Sequence, residues 1–290
     1  MTAAAVNPLQ PAEGDTQATA RSGRGRWNGP LVSGLVILGL IVLAAACAPL
    51  LTSADPIAQH LDQAFLPPGA PHHLLGTDSF GRDVLARLLY GARIDLRVGV
   101  LAVVSPFVIG SLIGLVAGWF GGWLDTVIGR IVDIVIAFPF LVLVIALVFA
   151  MGPGTTSIYT AITLVGWVAY CRIVRGQVLV AKEQEYAMAA RASGLPTWRI
   201  LLRHLLPNVV LQAFVYSMSD IVLTLLAIVT LGFLGLGVPP PTPDWGTMIQ
   251  DGQQFLLSKW YLSTIPGLAV VLTGIALALI ADGIVDRTNR

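Results

Sequence analysis

Charge is what this sequence has least of. Asp, Glu, Lys and Arg together make up 11% of its 290 residues, where a soluble domain carries about 25%. So few charges cannot cover a folded chain with a water-facing surface, and the 56% of hydrophobic residues point to the bilayer as its solvent. The net charge of +1 shows no basic excess and argues against a nucleic-acid binder. Cysteine is nearly absent. Cys47 and Cys171 lie in separate apolar segments with no CxxC and no His/Cys cluster, so they read as packing residues and not as a disulfide or a metal site. There is no GxxxxGK[ST] to cradle ATP phosphates, no HExxH, no GxSxG and no Ser/His/Asp constellation. "GFLGLG" (Gly232–Gly237) follows an apolar run and precedes prolines, so its glycines read as sites of close helix packing. His72–His73 has no third ligand at useful spacing and reads as a solvated loop.

What the chain has is long apolar runs. A membrane span takes about twenty residues, at ~1.5 Å rise each through a ~30 Å core. Six runs qualify: Leu31–Leu51, Leu96–Gly118, Val127–Phe149, Ser157–Tyr170 with its flanks, Val209–Gly237 and Ser263–Ala281. The expectation is an all-α integral membrane protein with six transmembrane helices. Residues 1–30, rich in Ala, Gly, Pro and Arg, read as a disordered tail. "LAAAC" ahead of Ala48 faintly resembles a lipoprotein cleavage box, but the run before it is too long and too late for a signal h-region. An outer segment fills 52–95, and a core of five spans fills 96–282 with a polar loop at 176–208; a tail follows at 283–290.

Lys and Arg set the orientation. With the N-terminus cytoplasmic, all but five of the 17 basic residues fall inside. Those outside are Arg82, Arg87, Arg93, Arg97 and Lys259, the arginines interleaved with Asp78, Asp83 and Asp95. Both termini are therefore expected to be cytoplasmic. In the outer segment Thr77 and Asp78 read as helix caps, with Val84, Leu85, Leu88 and Leu89 forming an amphipathic helix at the interface. Between spans five and six, four prolines in Pro239–Pro243 force a stiff, extended exit. Asp244–Trp245–Gly246 then makes a turn, and Trp260 and Tyr261 mark re-entry.

Ionisable residues inside spans are functional candidates by default. Asp133 stands three residues after Arg130, a spacing that suits an ion pair. Asp220, flanked by Ser217 and Ser219, lies near the middle of the fifth run. It either lines a water-filled path or sits shallower, bonded to Ser217 or a neighbouring helix.

The polar loop is the other anomaly. "EQEYAMAARASGLPTWRILLRHLLPN" (Glu183–Asn208) has a good helix former at nearly every position from Lys182 to Ser193. Gly194 suits a helix stop, and Pro196 can open a second helix. Ala187, Ala189 and Ala190 leave a surface for close approach. Trp198, Leu201 or Leu202, and Leu205 form an apolar stripe, with Arg199 and Arg203 facing out. A loop this ordered is suited to dock a partner.

The layout resembles the permease subunits of ABC importers, whose "EAA" loop is matched here at Ala189, Ala190, Gly194, Leu206 and Pro207, with Met188 where the family has Glu. Glu185 and Tyr186, with Arg191, fit the longer "EYVEAARAxG" form of the peptide branch. "LGTDSFGRDVLARLLYGAR" (Leu75–Arg93) and "LGFLGLGVPPPTPDWGTMI" (Leu231–Ile249) look like two further motifs of that branch, carrying Gly76, Thr77, Asp78, Gly81, Arg82, Asp83, Pro240, Trp245 and Gly246. The resemblance is to the C-type permease of dipeptide, oligopeptide and nickel importers. It implies a type I importer fold with a peripheral first span, in the plasma membrane of a prokaryote. The implied partners are a homologous B-type permease, two ATPases gripping one loop helix from each permease, and an extracytoplasmic binding protein. The chain itself would be non-catalytic and hold no cofactor, ATP and Mg being bound by the ATPases. Asp220 and Asp133 are the candidate pathway residues. Many relatives carry Glu where this chain has Ile228, and Asp220 is a candidate for the displaced acid. A secondary transporter of a small polar solute is the main alternative, and would show inverted repeats and broken helices.

Overall fold

The computed structural model describes residues 29–288, so the expected tail at 1–30 lies almost wholly outside the described residues. Among the described residues every regular element is helical; the only strand-like features are isolated bridges at Ala70–His73 and Thr77–Asp83.

The longest element, α3 (Val84–Phe120), has 37 residues and extends about 55 Å at 1.5 Å each. Asp83 caps its first turn, accepting the Ala86 N–H at 2.7 Å, and Gly121 ends it at φ +63°, a conformation glycine adopts without a Cβ penalty. Pro106 lies inside and cannot donate to the ladder. The helix runs on because α6 (Thr155–Ala181) supports it there, with Ser105 Oγ 2.7 Å from Thr163 Oγ1. The α3–α6 contact is made by Gly110, Gly114 and Gly118, one face of α3 at four-residue spacing. A Cβ on Gly114 would stand 2.5 Å from the Cys171 carbonyl, and one on Gly118 2.9 Å from Val178 Cβ. Only hydrogen at these positions lets the backbones approach so closely.

Helix α1 (Gly29–Ala46), followed by the short α2 (Ala48–Leu51), packs on α11 (Tyr261–Thr288) through Gly34 and Gly283. Its other faces expose Leu35, Val36, Leu40 and Leu43, as suits a peripheral helix bathed in lipid. Cys47 and Cys171 are both free, the latter buried. Helix α9 (Leu206–Phe233) lies against both α3 and α11, and α10 (Trp245–Gln253) fills the gap at one end.

Among the described residues five helices are long and apolar enough to cross a membrane, and a bent pair, taken as one span, brings the number to six. That pair replaces the continuous third span expected at Val127–Phe149. Helices α4 (Gly122–Ile136) and α5 (Phe140–Met151) meet at 90°. The cause is Pro139: proline disfavours α geometry in the residue before it, and its own ψ of 129° starts α5 in a new direction. The fourth helix runs past Tyr170 to Ala181, and the sixth past Ala281 to Thr288.

The outer segment departs from its expected form. No separate interfacial helix precedes the second span; Val84, Leu89 and Ala92 are buried in the first turns of α3 itself. The cap is Asp83, not Thr77 or Asp78. Asp244–Trp245–Gly246 opens α10 and is not an isolated turn: Asp244 accepts the Thr247 N–H at 3.0 Å. Tyr261 is buried, its hydroxyl donating to the Leu66 carbonyl at 2.9 Å, so of the expected interfacial pair only Trp260 is exposed.

Candidate functional site

At the N-terminal end of α3 the two outer motifs fold onto each other. Asp78 accepts the backbone N–H groups of Phe80 and Arg82 and the Nε–H of Arg82 at 2.6 Å. Arg82 also reaches Asp251 on α10 at 3.3 Å. Arg87 has its Nε 3.6 Å from Asp78 and donates to the carbonyls of Pro56 and Pro241, next to Pro240. Asp95 accepts the Trp245 N–H at 2.9 Å, and the Trp245 indole donates to the Leu88 carbonyl at 3.0 Å. Thr77 bonds Leu66 and Gln63, while Gly76 and Gly81 take positive φ in contact with Leu66 and His60. Gly246 packs directly on Gly232, as the "GFLGLG" reading required. His73 belongs to this cluster and is not a solvated loop residue: it bonds Asp83 Oδ2 at 2.8 Å and Gln63 at 3.1 Å. Burial pushes the Asp244 carboxyl above its ordinary range, opposed by the N–H of Thr247.

Three of the four arginines expected on the outer side are held by such contacts. Arg82 and Arg87 are buried against Asp78, and Arg93 donates to the Ala45 and Ala46 carbonyls at the C-terminus of α1, where a cation meets the negative end of the helix dipole.

The polar loop lies at the opposite end of α3. Lys182 donates to the Gly118 carbonyl at 3.1 Å, and the Arg191 guanidinium sits 4.2 Å from the Trp119 ring centre. Helix α7 (Glu185–Ala192) presents Glu185, Tyr186, Met188, Ala189 and Arg191 outward. Ala187 and Ala190 face the core beside Leu205 and Val209, so of the three alanines expected to form a close-approach surface only Ala189 does. Gly194 follows at φ +69° with open space around its Cα. The return segment is α8 (Thr197–Arg199) and a π-helical stretch, Ile200–Leu205, that runs unbroken into α9. The π register has a cause. Pro207 lacks an N–H and its ring would crowd the carbonyl four residues back, and widening the preceding turn relieves this. The Leu206 N–H accordingly bonds five residues back, to the Leu201 carbonyl. Ile200, Leu201 and Leu205 are buried and Leu202, Arg199 and Arg203 are exposed, so the expected stripe holds at Leu201 and Leu205, and Trp198, which faces outward, is the one member that departs from it.

Midway between the two ends a half-open cleft of about 710 Å³ lies beside the bend between α4 and α5. Its walls are apolar, Val135, Phe138 and Phe140 among them, with Tyr216, Arg172 and Asp220 as its polar features. Asp220, in the middle of α9, accepts the Tyr170 hydroxyl at 2.7 Å, and Tyr216 packs edge-on against the Tyr170 ring at 5.2 Å. Asp220 thus has a bond to a neighbouring helix and a place on the cleft wall; Ser217 bonds the Phe214 carbonyl instead. Ile228 packs in an apolar cluster with Val98 and Leu231. Asp133 is exposed, outside the cleft lining, and forms no ion pair with Arg130 among the described residues. Arg172, expected in the cytoplasm, is an exposed residue of α6 nine positions before its end and stands on the cleft wall.

Residues 110–290 match the family model described as the binding-protein-dependent transport system inner membrane component. The chain belongs to this family. It thus has the type I ABC permease fold, and it is a multi-pass membrane permease of a family of inner-membrane transport components. A putative peptide transport system permease protein of Brucella suis is 39% identical over 253 residues, covering 87% of this chain and 85% of the relative. A dipeptide transport system permease protein of Escherichia coli (strain K12) is 40% identical over 267 residues, 90% and 89% of the two chains. One of Alkalihalophilus pseudofirmus is 38% identical over 258 residues, 89% and 84%.

The sequence reading of this permease passed over the Gly110–Gly114–Gly118 repeat, whose small-xxx-small spacing was there to be read, and Pro139, whose effect on the third span was equally legible. Nothing local signals the pairing of Tyr170 with Asp220, which are 50 positions apart.

Proposed function

We propose that this permease forms half of the translocation pathway of an ATP-driven importer of di- or oligopeptides and takes its drive through the α7–α8 loop. A homologous permease supplies the other half, two ATPases holding ATP and Mg engage the loops, and an extracytoplasmic binding protein delivers cargo to the end bearing the Asp78–Arg82 cluster. Both termini and the loop then face the cytoplasm of a prokaryote, across its plasma membrane. One observation carries the reading: the exposed docking helix α7 packs through Ala187 and Ala190 beside Leu205 and Val209, on the continuous helical stretch that runs from α8 through the π segment into α9 and bears Asp220. A push on α7 therefore reaches the cleft wall through these packed side chains and the length of α9. The printed names of the relatives, peptide and dipeptide permeases, support the cargo class. The break at Pro139 is of a kind that secondary transporters use, but membership of a binding-protein-dependent family favours the ATP-driven reading.

Gly194→Val tests the coupling. A β-branched residue resists the left-handed conformation at a cost of about 1–2 kcal/mol, and open space around Gly194 means that nothing else in this chain is disturbed. In the assembled, reconstituted transporter the variant is expected to keep its subunits and hydrolyse ATP, while cargo moved per ATP falls. Wild-type transport per ATP in Gly194→Val would refute the role given to this turn.

A further inference from the structure

Two ionisable side chains on the cleft wall lack a charged partner. Asp220 is half-buried, yet among the described residues its one hydrogen bond comes from a neutral hydroxyl, Tyr170. An ionised carboxylate has about four acceptor positions, so most of its capacity is unused. Arg172 makes no hydrogen bond, ion pair or ring contact among the described residues. It stands nine residues before the end of α6 at Ala181, about 13 Å along the helix. An ion inside a span and facing lipid is costly, so such residues face a water-filled path or the interior of a bundle. Asp220 and Arg172 line the same cleft but do not pair with each other. The walls between them are mostly apolar, which strengthens any charge interaction made there.

We infer that Asp220 and Arg172 are the two charged contacts of a site for a zwitterion, a short peptide with a free ammonium and a free carboxylate. The ammonium goes to Asp220, which needs a cation, and the carboxylate goes to Arg172, whose planar fork suits a carboxylate in bidentate fashion. Tyr170 is a positioning residue: its hydroxyl holds one carboxylate oxygen, Oδ2, and leaves the other to the cleft. The apolar walls formed by Val135, Phe138 and Phe140 set no pattern of hydrogen bonds and so tolerate varied side chains between the two ends. This inference rests on the importer reading and adds the chemistry that holds the cargo in this chain's half of the pathway.

The test uses the complete transporter in proteoliposomes, with saturating binding protein loaded with a radiolabelled dipeptide that it is first shown to bind. Because the binding protein is the same throughout, its own selectivity cancels. Asp220→Asn and Arg172→Gln are each expected to lower the transport rate at least about tenfold, the factor that 1.4 kcal/mol represents, with all subunits still co-purifying. Tyr170→Phe, which keeps the ring packing and removes the hydroxyl, is expected to give a smaller loss. In a chain carrying Cys47→Ser and Cys171→Ser, the thiol of Val135→Cys, on the cleft wall with both charged residues kept, should react with a water-soluble maleimide, and more slowly with loaded than with empty binding protein. Wild-type transport rates in both charge variants would overturn the inference. So would loss of co-purification, which would make the two residues contacts with a partner subunit, or labelling that is indifferent to peptide. If the wild-type complex carries no peptide at all, the importer reading fails and this inference with it, an outcome distinct from failure of the variants alone.

Discussion

Gly114→Leu is expected to prevent this permease from reaching its folded state in the membrane. Even the first added carbon has no room: it would stand 2.5 Å from the Cys171 carbonyl, 3.0 Å from the Arg175 N and 3.1 Å from the Cys171 Cα. All three are backbone atoms of α6, so no flexible side chain can swing aside. Overpacking a well-ordered interior typically costs about 1–3 kcal/mol, and separating two backbones over several turns should exceed that range. Gly110 and Gly118 would be pulled from α6 as well, because the three glycines share one face. The measurement is the yield of monodisperse protein after detergent extraction. Gly39→Leu is the control, since it adds the same side chain to a helix at a position with nothing nearby, and it should be recovered like wild type. Equal recovery of the two variants would mean that α3 and α6 do not pack through these glycines.

Arg82→Met comes next in size. The guanidinium is buried and bonds Asp78 at 2.6 Å and Asp251 at 3.3 Å. Removing one member of a buried ion pair costs about 3–5 kcal/mol, because the other charge is left stranded. The lower end applies here, since Asp78 keeps two backbone N–H groups and has Arg87 at 3.6 Å. The buried Cys171 thiol gives a readout, as a thiol-reactive dye labels it only on unfolding. Arg82→Met should lower the temperature at which labelling begins. Asp78→Asn combined with Arg82→Met should lower it less than the two single effects summed, because the Asp78 carboxylate is then not left without Arg82. Strict additivity would show that the pair is not coupled.

The cluster around Arg82 shows why motif and role separate. "GTDSFGRD" and "PDWGTM" are recognisable in the sequence because each needs particular residues at fixed spacing: glycines at positive φ, and aspartates that accept backbone N–H groups. Their mutual contact is not recognisable, because Leu88, in the helix that the first motif opens, and Trp245 are 157 positions apart. The same holds for the loop. Its helix, its Gly194 stop and its proline follow from local rules. Which alanines face outward does not, because the core of α6 and α9 decides which side of α7 is covered.

By itself the sequence determined the solvent, the helical class, the positions of the long spans, the order of the motifs and the family they resemble. These depend on composition and short-range spacing, which a chain carries with it before it folds. Only the tertiary structure decided that the chain turns by 90° at Pro139, between α4 and α5, and that a cleft opens beside the turn. The same is true of the pairing of Asp220 with Tyr170 and of the placing of Arg172 on the cleft wall. The physical reason is that close packing fixes distant residues together through contacts that no local periodicity encodes. In a membrane, where apolar faces meet lipid as readily as protein, a run of Leu and Val cannot say which side of its helix will be buried.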